Sequence, residues 1–179
     1  MTVKPILQID SPVLRRKTNR VTKIDKAVLR LIEDLTDTLE KSDGAGLAAP
    51  QIGVPLRVAV LWLHEQEPFV IINPEIVKRI GTREIDEGCL SLPGYQGRIK
   101  RSVAVTVKFL DIDGKPVKIR AKELLAQVLE HEIDHLDGIL YVDRLEGSNK
   151  IYKVEPDKEK KKEESLSDGV TTESVSDRV

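Results

Sequence analysis

Leu124-Leu125-Ala126-Gln127-Val128-Leu129-Glu130-His131-Glu132-Ile133-Asp134-His135-Leu136 is the stretch on which the reading of this chain turns. Leu124, Leu125, Val128, Leu129 and Leu136 recur at helical spacing, and Gly138 stands where a helix takes a C′ glycine. A helix is therefore predicted over about Lys122–Leu136. Within it His131 and His135 lie one turn apart on one face. Two imidazoles so placed can grip one tetrahedral metal ion, and the adjacent carboxylate, Glu132, can reach a water on that ion. The bland alternative is a helix whose histidines are ordinary surface or core residues. Two of the chain's three histidines falling in this one motif favours the metal.

A catalytic metal needs a third protein ligand and an open position. Cys89 is the only cysteine, in Glu87-Gly88-Cys89-Leu90-Ser91, and reads as part of a short link between strand candidates. Its alternative fate is that of a small buried hydrophobe, and the sequence does not bring it to His131. A third segment, Gly44-Ala45-Gly46-Leu47-Ala48-Ala49-Pro50-Gln51-Ile52-Gly53, is too rich in glycine for a regular element. It has no Gly-Lys-Ser/Thr, and a helix rather than a strand precedes it, so neither phosphate-loop fingerprint fits. It suits close backbone approach to a ligand, with the Gln51 amide as a donor, or else a tight turn with no ligand at all. His64 reads as an exposed residue near a strand end, not as a ligand.

Working outward, Asp25 is a candidate N-cap for a helix over about Lys26–Lys41, with Val28, Leu31, Ile32, Leu35 and Leu39 on one face. The stretch before it, through Arg20, reads as an irregular arm. Strand-like runs are Arg57–Leu63, Phe69–Asn73, Glu75–Ile80, Val103–Asp111 and Pro116–Arg120. Asp113-Gly114 marks a hairpin between the last two. One helix before the strands, one after, and antiparallel hairpins between give an α+β fold class: antiparallel sheets packed around the metal-binding helix. Residues 1–153 form one catalytic domain in this reading. Residues 154–179 form a charged, disordered tail.

Composition bounds the function. The 179 residues carry 29 Lys and Arg against 30 Asp and Glu, a formal net charge of −1, which argues against a broad basic surface for nucleic acid. One Trp, three Tyr and two Phe are too few for base-stacking platforms. No run of about 18 apolar residues, no secretory leader and a single cysteine fit a cytoplasmic protein without a membrane partner.

The three segments together resemble peptide deformylase, whose motifs have the form G-x-G-x-A-A-x-Q, E-G-C-x-S and H-E-x-D-H. All three are complete here and in order, and Ile6-Leu7-Gln8 with Pro12-Val13-Leu14-Arg15 resembles the family's N-terminal arm. The resemblance covers about Ile6–Leu145. It implies a bacterial-type, metal-dependent hydrolase that removes the N-formyl group from the formylmethionine of newly synthesised proteins. It implies Cys89, His131 and His135 as ligands of one divalent metal, Fe(II) natively, with Zn, Ni or Co able to occupy the site. A water activated by that metal would attack the formyl carbon. Glu132 would be general base and then acid, and the Gln51 amide and Leu90 N–H would stabilise the oxyanion. The resemblance further implies Gly44 and Gly46 at the peptide backbone. Ala45, Ile85, Glu87, Leu124 and Val128 would form the methionine pocket, with Arg101 near the peptide cleft. Spacing independently puts Val128 and Leu124 on the helical face of His131, though plain core packing would do the same.

Asp134 is expected to form an ion pair behind the metal. Ala45 is smaller than the branched residue common at its place, which bears on pocket width and not on the reaction. Some relatives dock on the ribosome through a basic C-terminal helix. Here Lys153–Val179 carries six basic and eight acidic residues, a net −2, without an apolar stripe. Docking through the tail is not expected, though transient ribosome contact elsewhere remains open. The expected partners are formylmethionyl nascent peptides, with no DNA, and the chain is expected to be a monomer. Two rival readings exist. A secreted zinc peptidase is disfavoured by Cys89 and the missing leader. A catalytically silent peptide binder is disfavoured by the intact Glu132, Gln51 and ligand set.

Overall fold

A computed structural model describes residues 2–63, 67–147 and 151–154. His64 and the tail from residue 155 lie outside the described residues, and so do the expectations placed on them.

Helix α1 spans Lys26–Glu40. The Asp25 carboxylate accepts the N–H groups of Ala27 at 2.9 Å and Val28 at 3.1 Å, satisfying two of the donors that a helix start leaves unpaired. The Ser42 hydroxyl donates to the Leu39 carbonyl at 2.8 Å and closes the other end. Strands follow as β1 (Gly46–Ala48), β2 (Val58–Leu61), β3 (Phe69–Ile80), β4 (Arg83–Cys89), β5 (Leu92–Arg101), β6 (Ala104–Leu110) and β7 (Pro116–Lys122). Helix α2 spans Glu123–Leu136, and a last strand, β8, covers Ile151–Lys153. All pairings between strands are antiparallel, in a five-stranded sheet β1-β2-β3-β6-β7 and a three-stranded sheet β4-β5-β8.

The large sheet lies between the two helices. In β2, Val58 and Val60 pack with Leu31, Leu35 and Leu39 of α1. Ala59 and Leu61 turn the other way, toward Ala126, Leu129 and Ile133 of α2. All four β2 side chains are fully buried, as a strand covered on both faces requires. Leu35 is the centre of the α1 layer. Leu35→Ala should cost about 2–5 kcal/mol, read as a lower denaturant midpoint with an unchanged slope.

The strands differ from expectation in several places, and β8 stands where no strand was expected. Phe69–Asn73 and Glu75–Ile80 are one strand, not two. Asn73 (φ 53°) and Pro74 are absorbed by a register shift between Ile72 and Glu75. Gly46–Ala48 pairs with β2 despite its glycine-rich setting. Cys89 is the last residue of a strand rather than part of a link. Residues 83–101 form a β4–β5 hairpin in which Cys89 faces Leu92.

The arm wraps the motif segments. Leu7 N–H donates to the Gln51 carbonyl at 2.8 Å, and Ile9 N–H to the Ser91 carbonyl at 2.9 Å. Thr18 N–H donates to the Leu136 carbonyl at 3.0 Å, and Arg57 Nη1 reaches Asp137 at 2.7 Å, so the C-terminal end of α2 is tied down. Gly138 (φ 75°) ends α2, and a Cβ there would come within 2.8 Å of the Arg15 carbonyl oxygen. Both the left-handed turn and the close-packed arm need glycine at this place.

Candidate metal centre and active site

One turn of α2 carries His131 and His135 side by side, their rings edge to face with centroids 4.8 Å apart. Their Nε2 atoms are 3.2 Å from each other, and Cys89 Sγ, delivered by the end of β4, is 3.2 Å from His135 Nε2. The three ligand atoms lie within 4.8 Å of one another. Two facing imidazole nitrogens and a thiol sulfur are the borderline-soft donor set that Fe(II), Zn, Ni and Co accept. The residues present therefore fit a divalent cation.

The surroundings prepare the ligands. His131 Nδ1 is 2.6 Å from Glu87 Oε1, so its N–H donates there and leaves Nε2 bare toward the centre. Arg101 grips Glu87 with two donors, at 3.0 and 2.6 Å, and Asp134 with a third, at 2.6 Å. Arg144 holds Asp134 from the other side. Asp134 thus makes the ion pair expected of it. Burial alone would raise the Glu87 carboxyl, but the His131 and Arg101 hydrogen bonds outweigh it and hold it at about 2. Burial also works against charge on both rings. At His131 the hydrogen bonds with Cys89 and Glu87 prevail and push its pKa well above the ordinary value. At His135 burial and the neighbouring His131 push it well below.

Glu132 is 2% exposed, and its Oε2 has no hydrogen-bond partner among the described residues. Burial, opposed by His131 and reinforced by Glu87, pushes its carboxyl up to about 7. Gln51 is oriented by its oxygen, which accepts the Ala48 N–H at 2.8 Å. Its Nε2 therefore points to Ser91 Oγ at 3.3 Å and Cys89 Sγ at 3.7 Å, beside the ligand cluster.

A groove of about 990 Å³ opens over these groups. Gly44, Ala45, Gly46, Gln51, Glu87, Cys89, Leu90, Leu124, Val128, His131 and Glu132 all line it. His135 lies beneath, 1% exposed. Two expected residues are not in its wall. Ile85, on β4 opposite Ile99, does not line it, and Arg101 is 3% exposed, behind Glu87. Leu124 is 54% exposed, so it serves the groove's lip rather than the core. Sequence reading missed Gln127, four residues before His131, although helical spacing signals it. It also missed Leu92, Pro93, Tyr95, Gln96, Lys153 and Val154, which reach the groove only through the pairing of β5 with β4 and β8.

A family model described as polypeptide deformylase matches residues 3–167. The chain belongs to the polypeptide deformylase family. A peptide deformylase of Dehalococcoides mccartyi (strain CBDB1) is 48% identical over 160 residues, covering 89% of this chain and 96% of that protein. The crystal structure of a peptide deformylase from Legionella pneumophila superposes with a TM-score of 0.78 at 45% identity, over 81% of this chain and 87% of that one. The deformylase from Synechococcus elongatus, solved in complex with actinonin, gives 0.77 at 38% identity, over 82% and 83%. Deformylases are metal-dependent hydrolases with a single divalent metal, which the Cys, His, His cluster suits. No described helix is long and apolar enough to cross a membrane.

The close approach of Gly46 to Glu132 gives a test. A Cβ on Gly46 would sit 2.5 Å from Glu132 Oε1 and 2.9 Å from its Cδ and Cγ. Gly46→Ala should displace the Glu132 carboxyl and lower kcat by about 10²-fold. Metal content, measured by atomic absorption, should stay that of the parent.

Proposed function

We propose that the chain removes the N-formyl group from the formylmethionine of newly made peptides, with Cys89, His131 and His135 holding one divalent ion, Fe(II) natively. The observation that carries this reading is the convergence of Cys89 Sγ and the two histidine Nε2 atoms beside a buried, unpartnered Glu132 carboxylate. When bound, the ion supplies Lewis acidity and lowers the pKa of a water in the groove.

Glu132 takes a proton from that water as its oxygen adds to the formyl carbon, and delivers the proton to the amine nitrogen as the C–N bond breaks. Formate and a free α-amine leave. The Gln51 Nε2–H and the Leu90 backbone N–H are the donors for the oxygen that becomes negative. Gly44 and Gly46 give the peptide backbone its close approach. Ala45, Glu87, Leu124 and Val128 surround the methionine side chain. Ile85 and Arg101 act from behind, Arg101 by fixing Glu87 and through it His131.

Residues 1–153 are the catalytic domain and 154–179 a charged tail, at whose start the Val154 N–H donates to the Gly94 carbonyl at 2.8 Å. The enzyme works as a cytoplasmic monomer on nascent chains.

The deciding experiment is formate release from formyl-Met-Ala-Ser by anaerobically prepared protein. Chelation should abolish release, and Fe(II) or Ni(II) should restore it. No release from metal-replete protein would overturn the reading. Aerobic incubation of the iron form for hours should also inactivate it, as thiolate or metal oxidises. Unchanged turnover after that treatment would rule out Fe(II) on Cys89.

A further inference from the structure

Strands β3 to β6 form one bent ribbon. Ile80 faces Ala104 and Arg83 faces Arg101, so the pairing of β3 with β6 runs on in the same register into that of β4 with β5. The bend falls on Gly81-Thr82 and Ser102-Val103, which belong to neither ladder. The two sides of the bend pack together, and a Cβ on Gly81 would come within 2.9 Å of Val103 Cγ2. This corner sets the angle between two bodies. One is the large sheet with α2, which carries His131 and His135. The other is the β4–β5 arm, which carries Cys89.

Three consecutive residues at the corner are bound to α2. Arg101 Nη1 donates to Asp134 at 2.6 Å, and the Val103 carbonyl accepts the Glu123 N–H at 3.3 Å. Between them, Ser102 donates both its N–H, at 2.8 Å, and its hydroxyl, at 3.0 Å, to Glu130. Glu130 is buried, and a third donor, Arg79 Nε of β3, reaches it at 3.1 Å. It stands one residue before His131, does not line the groove and has no part in the proton transfer. Burying a carboxylate costs solvation that an apolar side chain of similar volume would keep. What the carboxylate adds is a fixed geometry between the helix and the corner.

We propose that Glu130 is a positioning residue: by locking Ser102 to α2 it holds the β4–β5 arm at the angle that brings the Cys89 sulfur to the two histidines. The lever is long. Cys89 ends β4, about 20 Å along the strand from the corner, and a rotation of about 3° there would move its sulfur by about 1 Å. That is several times the departure of about 0.2 Å that a metal–ligand distance tolerates. Arg101, already tied to Glu87 and so to His131, orients one ligand ring. Glu130 acts on a different coordinate, the distance between the thiol and the ring pair. The proposal rests on the ligand set of the proposed function.

The test is Co(II) binding to the full chain, followed by competition with a chelator under conditions where every variant is folded. The ligand-field bands of the bound ion report its coordination geometry. Glu130→Ala should weaken binding by about tenfold and change those bands. Leu35→Ala, a core truncation in the other layer, should lose stability and keep both readouts of the parent. Glu130→Gln retains an oxygen for the Ser102 N–H and an amide that can donate to the Ser102 hydroxyl, so it should restore most of the affinity. Glu130→Asp retains the charge but is one methylene too short to reach the corner, and should not. Arg79→Met should bind Co(II) as the parent does, because the Arg79 side chain is 55% exposed and its ion pair contributes little. Glu130→Ala behaving as Leu35→Ala does in both readouts would overturn the proposal and leave Glu130 a part of the core. Glu130→Asp keeping an affinity that Glu130→Gln loses would also overturn it, by assigning the effect to charge. If Glu130→Ala does not fold, the Gln and Asp pair decides. A parent that binds Co(II) yet releases no formate would sink the deformylase reading and leave this comparison intact. A parent that binds no Co(II) would sink both.

Discussion

Glu132→Ala is expected to lower formate release by about 10²–10⁴-fold while the metal stays bound, the range a positioned proton carrier supplies. The ligand atoms belong to other residues, so metal content separates loss of the base from loss of the centre. Glu132→Gln should do nearly the same, because it keeps the shape and hydrogen-bonding reach but cannot take up the proton. Stability should move the other way. Burial pushes the Glu132 carboxyl up from an ordinary value near 4.5 to about 7. The folded chain without metal therefore holds a proton there that the unfolded chain has released, and stability falls as pH rises from about 4.5 through about 7. Above that window the ionised, unpartnered carboxylate costs a few kcal/mol. Glu132→Gln should then unfold at a higher temperature than the parent when both are metal-free at pH 8, with the gap closing toward pH 4.5. A variant that is less stable at pH 8 would mean that the carboxylate has a partner after all.

Arg101→Met should be the most damaging change outside the ligand set. It takes a cation from each of two carboxylates, Glu87 and Asp134, with side chains 3% and 7% exposed, and leaves them only His131 and Arg144. Breaking a buried pair by removing one member costs about 3–5 kcal/mol, and Arg101 is a member of two such pairs. Thermal or denaturant unfolding measures the loss. The damage should also reach the metal. With Glu87 no longer clamped, the His131 ring loses the partner that fixes its tautomer, and metal affinity should fall about 10–100-fold. The pH dependence carries a signature. Glu87 is held at about 2, so in the parent it contributes stability above about 4.5 that is lost as pH falls toward 2. That acid limb should shrink in the variant. Arg101→Lys keeps the charge but not the three-way fork and should recover only part of both effects.

The parts of this molecule governed by local periodicity were legible in the sequence. The α1 stripe from Val28 to Leu39, the α2 stripe and the Asp25 cap all rest on interactions within about a turn. So does the one-turn spacing of His131 and His135. Parts that depend on partners distant in sequence were not. Arg83–Cys89 mixes charge with single apolar residues, and Leu92–Arg101 holds Gly94 and Gly97. Their strand character comes from pairing with each other and with β8. Arg101 shows the same limit. Family resemblance set it near the peptide, whereas Glu87 and Asp134, 14 and 33 residues away, draw it into the interior. The facing of Lys108 and Lys118 was hidden for the same reason, since only cross-strand register brings them together.

The Thr18 bond to Leu136 spans 118 residues of chain. During vectorial synthesis the arm emerges first, yet its anchor on α2 is among the last parts of the catalytic unit to leave the exit tunnel. Cys89 is likewise made more than forty residues ahead of His135. On the proposed ligand set, the site can close only once His135 has been made, and until then Cys89 stands without its two histidine neighbours.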